Sequence, residues 1–224
     1  MCQCAGRYDE IAVGKKALAL LFLAGVAALA DSPATVALPA PETTGGKPLM
    51  QALNERKSGR DFSPAKLSPQ VLSNLLWAAY GVNRPDGRRT APSAMNWQTV
   101  DVYAVTADGA YIYDAHTNRL VEVVSDDLRA LTGVQDFAGV APLNLVYVAD
   151  YSKMKGTPDD TKLLYSAAET GFVAQNVYLF CASEGLSTVV RALVNRDALA
   201  KALHLRPDQK ITLAQTVGYQ KPPK

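Results

Sequence analysis

The sequence predicts an α+β domain, and two observations carry that expectation. Residues 100–105, 110–113, 120–124 and 143–149 are short runs of β-branched and aromatic residues separated by Asp-Gly and Asn-containing turns, the pattern of antiparallel strands. Helical patterns stand around them, the longest over residues 162–184, before a last strand pattern at 211–219.

Lys15 and Lys16 precede an uncharged apolar run, residues 17–30, that closes Ala28-Leu29-Ala30 ahead of Asp31. That run is shorter than the about twenty residues a bilayer span needs, and its small-x-small ending suits a signal peptidase. Residues 1–30 are therefore expected to be a signal peptide, and the mature protein to be exported to a periplasm. The stretch before Val13 is long and partly acidic for a leader, which places the expected translation start near Val13. Cys2 and Cys4 fall in the leader, so Cys181 is the one mature cysteine and no intramolecular disulfide forms. In its apolar surroundings Cys181 reads as a small buried hydrophobe.

Residues 31–47, rich in Pro, Ala, Thr and Gly without periodicity, read as a flexible tether, with one folded domain over 48–224. A short amphipathic helix is expected over 49–57. Ser68 is a good N-cap for a helix over 69–80, where Val71, Leu72, Leu75, Leu76 and Ala79 form an i, i+3, i+4 stripe ended by Gly81. The four strand patterns follow. Asp126-Asp127 and Asp159-Asp160 suit helix starts. Residues 162–184 carry apolar side chains on more than one stripe, which predicts a helix buried on several faces, with Gly185 at its C′ position. A shorter helix is expected over 197–205.

The whole chain holds 23 basic and 21 acidic side chains, and this near-neutral balance gives no electrostatic case for nucleic acid. Two Ser-x-x-Lys strings, at Ser63 and Ser152, lack the companion motifs of serine acyl-enzymes. Gly45-Gly46-Lys47-Pro48 lacks the spacing of a phosphate loop. His116 and His204 are isolated, so no metal site is indicated.

Two segments remain that point to chemistry. Arg56-Lys57-Ser58-Gly59-Arg60-Asp61-Phe62 concentrates guanidinium groups and a hydroxyl, the partners of a phosphate; on a continuing helical turn Arg56 and Arg60, at i and i+4, would face one anion. Taken alone, it reads more readily as a solvated basic helix end. Ala91-Pro92-Ser93-Ala94-Met95-Asn96-Trp97-Gln98 places Ser93, Asn96 and Gln98 in a Pro-containing loop before a strand, where ligand-reading groups are mounted.

In order and separation the two segments resemble the Arg-x-Ser-x-Arg/Lys-x-Phe and Pro-Ser-x-x-Asn-x-Gln motifs of the nitroreductase family of FMN-dependent oxidoreductases. Ala174-Gln175-Asn176, the turn Gly185-Leu186-Ser187-Thr188 and the strand Thr216-Val217-Gly218-Tyr219 continue the resemblance over roughly residues 48 to 221. Leu75-Leu76-Trp77-Ala78-Ala79-Tyr80-Gly81, Arg88-Arg89-Thr90 and Gly109-Ala110-Tyr111-Ile112-Tyr113-Asp114 resemble the SagB-like dehydrogenase branch more closely. Met95 and Asn96 depart from that branch's Gly-Ala.

The resemblance implies a mainly antiparallel central sheet flanked by helices, a homodimer built on the long helix, and FMN sites at the subunit interface. Arg56 and Ser58 would serve the ribityl phosphate, with Lys221 and Lys224 closing over it. Arg60 would serve the N1/O2 edge, and Ser93, Asn96 and Gln98 the flavin edge or ribityl chain. Ala192 and Leu193 would lie at N5, where many relatives carry an acidic residue and Gly. The implied activity is hydride transfer through N5 to a small acceptor such as a nitroaromatic or quinone, with the electron donor unassigned and no protein nucleophile. The alternative is a non-catalytic, degenerate flavin-binding protein of the same fold.

Overall fold

A computed structural model describes residues 33–221 and Met1 of the 224-residue chain. The expected signal peptide and Lys224 lie outside the described residues. Seven strands form one antiparallel sheet in the order β1-β4-β3-β2-β5-β7-β6. The strands are β1 (Thr35–Ala37), β2 (Val100–Thr106), β3 (Gly109–Asp114), β4 (Arg119–Val124), β5 (Leu143–Asp150), β6 (Leu186–Arg191) and β7 (Gln209–Tyr219). The helices are α1 (Leu49–Glu55), α2 (Pro69–Tyr80), α3 (Asp136–Val140), α4 (Asp159–Glu184) and α5 (Arg196–Ala202).

The period of two along the central strands sorts side chains into two cores. On one face Val102, Ala104, Leu145 and Tyr147 pack under α2 and α4, against Leu75, Leu76, Val173 and Val177. On the other, Tyr103, Val105, Val146 and Val148 meet Leu199 and Leu203 at and just beyond α5. Strand β5, buried along its whole length, is the spine between them. Leu75 and Leu76 are wholly buried, each contributing roughly 2 kcal/mol of apolar transfer.

Helix α2 starts as the sequence predicts: Ser68 Oγ accepts from Val71 N at 3.2 Å, with Pro69 in the first turn. Gly185 ends α4 in the left-handed conformation, φ 68°, that favours glycine.

Four expectations need correction. Residues 33–47 are not a loose tether: β1 adds to the edge of the sheet beside β4, Ser73 Oγ donates to Pro39 O at 2.6 Å, and Lys47 N donates to Ser183 Oγ at 2.8 Å. Polar composition hides these contacts because the fastening groups are largely backbone atoms. Helix α1 stops at Glu55, so Arg56, with ψ 120°, begins an extended strip rather than a further helical turn. Helix α5 ends at Ala202, and His204 takes a positive φ of 53°. Helix α4 buries a single stripe within the chain, Ser166, Glu169, Thr170, Val173, Ala174, Val177, Tyr178 and Cys181, while Leu163, Leu164, Tyr165 and Phe172 are exposed.

Candidate functional site

The strip after α1 owes its course to β6. Gly59 N donates to Thr188 O at 2.9 Å, and Phe62 bridges Gln220 beyond the end of β7, so the strip covers what would be a bare strand edge. The approach is close: a Cβ on Gly59 would stand 2.4 Å from Ser187 Oγ and 3.2 Å from its Cβ, so a larger residue would displace the Ser187 side chain. The strip brings Arg56 and Ser58 to one side chain, Tyr178, by a different geometry from the helical turn expected.

Tyr178 of α4, unnoticed in the sequence, gathers the strip. Its hydroxyl is bonded to Ser58 Oγ at 2.9 Å and accepts from Val190 N at 3.0 Å, while the Arg56 guanidinium lies 5.2 Å from its ring centroid. Val190 stands two residues before Ala192, so the strip and the 192–193 turn are tied to one phenol. Ala192 and Leu193 are both exposed. Lys221 N donates to Asp61 O at 3.2 Å, which ties the backbone after β7 to the strip. Among the described residues no carboxylate pairs with Arg56, Arg60 or Lys221.

The second segment stands elsewhere on α4. Glu169, 3% exposed, accepts from Tyr80 Oη, from Ser93 Oγ and Thr99 Oγ1, both at 2.9 Å, and from Val100 N at 3.4 Å. Burial, with Glu169 beside it, pushes the Tyr80 phenol far above its ordinary range. Ser93 Oγ in turn accepts from Gln98 N at 2.7 Å. Gln98 Oε1 accepts from Arg89 Nε at 2.7 Å, and its Nε2 donates to Gly87 O at 3.0 Å and Asn96 Oδ1 at 3.1 Å. Ser93 and Gln98 thus spend their polar atoms on anchoring the loop, leaving the exposed Asn96 as the member free to present its amide N–H groups outward. The loop carries backbone strain at Met95, Asn96 and Gln98, with φ of 50°, 54° and 49°. A cavity of about 500 Å³ opens beside it.

Glu169 and Tyr178 are nine residues apart, so the two halves hang about 13 Å from each other along α4, at roughly 1.5 Å per residue. They line different cavities: Lys57, Gly59 and Tyr178 face one of about 430 Å³, and Ser93, Asn96 and Gln98 the other. A single chain therefore does not bring the two halves into one pocket.

Arg191, at the end of β6, is buried without a carboxylate. Its Nη1 donates to Thr132 O at 2.7 Å, its Nη2 to Asn144 Oδ1 at 2.9 Å and its Nε to Thr216 Oγ1 at 3.1 Å. Burial lowers its pKa to about 10, which leaves it charged at neutral pH. It pins the start of the 192–193 turn to the 129–132 segment. No spacing rule marks Arg191, Glu169 or Tyr178 in the sequence; each is recognised by partners distant in the chain.

An antiparallel sheet with a long helix that anchors a basic strip at Tyr178 and a polar loop at Glu169 defines an α+β scaffold with a candidate small-molecule site. The nitroreductase family profile matches residues 53–219. A candidate nitroreductase of Methanocaldococcus jannaschii is 33% identical over 151 residues, covering 63% of this chain and 76% of the relative. The crystal structure of a candidate nitroreductase from Ralstonia eutropha JMP134 superposes with a TM-score of 0.81 at 43% identity, over 86% of this chain and 95% of that one. A further one from Anabaena variabilis, at 17% identity and TM-score 0.73, covers 84% of this chain and 42% of its own and shares the fold. The chain belongs to the nitroreductase family, and its homologues indicate an oxidoreductase.

Proposed function

We propose that the protein is an FMN-dependent oxidoreductase acting as a homodimer. Each flavin would lie between the 56–60 strip of one subunit and the 93–98 loop of the other. The observation that carries this reading is the strip itself: Arg56 and Arg60, and Lys221 whose backbone is bonded to Asp61, make no salt bridge among the described residues. That donor set suits a phosphate dianion, which guanidinium groups bind bidentately.

When bound, FMN supplies two-electron chemistry, accepting and giving hydride at N5. Arg56 and Lys221 would hold its phosphate and Ser58 the ribityl end. Arg60 would set a fixed positive charge at the N1/O2 edge, where negative charge builds on reduction. Ala192 and Leu193 would border N5 with small and apolar groups, and Asn96 of the partner subunit would read the flavin edge. Ser93 and Gln98 are positioning residues that hold Asn96 in place. The acceptor is a small molecule of the nitroaromatic or quinone class. The leader-like pattern of residues 15–31 supports export, and FMN would then be acquired outside the cytoplasm.

Titration of FMN into the protein, followed by quenching of flavin fluorescence, tests the reading. Arg60→Ala should weaken binding by about tenfold or more, the usual scale for a hydrogen bond to a charged group. Unchanged affinity would remove Arg60 from the site.

A further inference from the structure

We propose that the cavity beside the 93–98 loop selects acceptors bearing a carboxylate, bound by Arg84 and Arg88. The proposal rests on that cavity being the acceptor side of the flavin site. Residues 82–89 form a small hairpin: Val82 bridges Arg89, Asn83 N donates to Arg88 O at 3.1 Å, and Gly87 N donates to Arg84 O at 3.1 Å. Gly87, with φ 78°, permits the tight turn. The hairpin thus carries three guanidinium groups to the rim of the cavity, which is lined by Arg84, Arg88, Arg89, Ser93, Met95 and Asn96 among others.

The three arginines are not equivalent. Arg89 belongs to the scaffold, donating to Tyr80 O at 3.0 Å and Gln98 Oε1 at 2.7 Å and lying 4.7 Å from the Tyr80 ring centroid. Arg84 is held across the hairpin by bonds to Asn83 Oδ1 at 2.9 Å and Arg89 O at 3.3 Å, neither of them a charge partner. Arg88 pairs with Asp86, and this is the only ion pair made by the three among the described residues. Three cations against one carboxylate leave a net positive rim. A guanidinium fixed by its neighbours loses little freedom when it accepts a bidentate carboxylate. The cavity has small-molecule dimensions, and the exposed Met95 side chain offers an apolar wall for an aromatic ring. Together these features fit a carboxylated aromatic.

The test is binding of 4-nitrobenzoate, its neutral isostere 4-nitrobenzamide and 4-nitrophenyl phosphate to the purified FMN-reconstituted protein, measured by calorimetry. Nitrobenzoate should bind about tenfold or more tightly than the amide, the scale of a charge-assisted hydrogen bond. Salt should narrow that gap, and an Arg84→Gln/Arg88→Gln double variant should close it. Both side chains are exposed, and the variant's melting temperature reports its fold. Equal binding of acid and amide, a preference that survives the double variant, or a preference for the phosphate overturns the proposal. The same titration without FMN separates the two claims. If FMN fails to load while arginine-dependent nitrobenzoate binding persists, the flavin reading falls and the anion site stands. If FMN loads without discrimination between acid and amide, the anion site falls alone.

Discussion

Glu169 joins three segments, the end of α2, the 93–98 loop and the start of β2, through one buried carboxylate. Glu169→Ala would strand the hydroxyls of Tyr80, Ser93 and Thr99, and should cost roughly 3 kcal/mol or more in urea unfolding. Glu169→Gln, which keeps one acceptor oxygen, should recover part of that loss; equal losses would show that a single neutral acceptor does not support the anchor. Cys181 makes a simpler case. It is 1% exposed, and burial pushes its thiol well above the ordinary range. The native protein should therefore resist maleimide at neutral pH and react on unfolding. Rapid native labelling would contradict its role as packing.

Among the elements, α4 carries the apolar surface on which the proposed dimer rests. Leu164 and Phe172 remain 67% and 47% exposed, and α1 adds Leu49, Met50 and Leu53 to the exposed apolar side chains. Tyr165, on the exposed side of α4, meets Trp97 edge-on with centroids 5.7 Å apart, which links that surface to the 93–98 loop. A second copy covering it would complete both flavin sites by symmetry. Leu164→Asp/Phe172→Asp should shift the sedimentation of the protein from dimer to monomer and weaken FMN binding with it. An unshifted dimer would place the interface elsewhere. What the sequence disclosed follows from where each signal resides. Ser68 and Gly185 were legible because caps are local chemistry, and the strands because their alternation is local too. The break at Arg56 was not, since hydrogen bonding to distant Thr188, rather than local propensity, draws that segment off the helical path. The stripe on α4 was overestimated because apolar residues left exposed on a helix look the same in sequence as core residues.

Across the whole molecule, the cofactor claim and the dimer claim are one, because the two halves of the site sit about 13 Å apart along α4, at roughly 1.5 Å per residue. Stability against acid is also a property of this scale, since Asp150 ties the end of β5 to Arg206 before β7, at 2.8 Å. Burial raises the Asp150 pKa, but the Ser152 and Arg206 hydrogen bonds outweigh it and hold the carboxyl below its ordinary range. A lowered folded-state pKa adds stability above the unfolded value, about 3.9, and loses it as pH falls through the folded one. Melting temperature should therefore decline below about pH 4 less steeply in Asp150→Asn than in the parent; parallel curves would remove Asp150 from the acid response. Sedimentation of the FMN-reconstituted protein, followed at a visible wavelength absorbed by oxidised flavin, reads cofactor and assembly together. Flavin should move with a dimer at one per subunit. Colourless protein, or flavin carried stoichiometrically by a monomer, would contradict it.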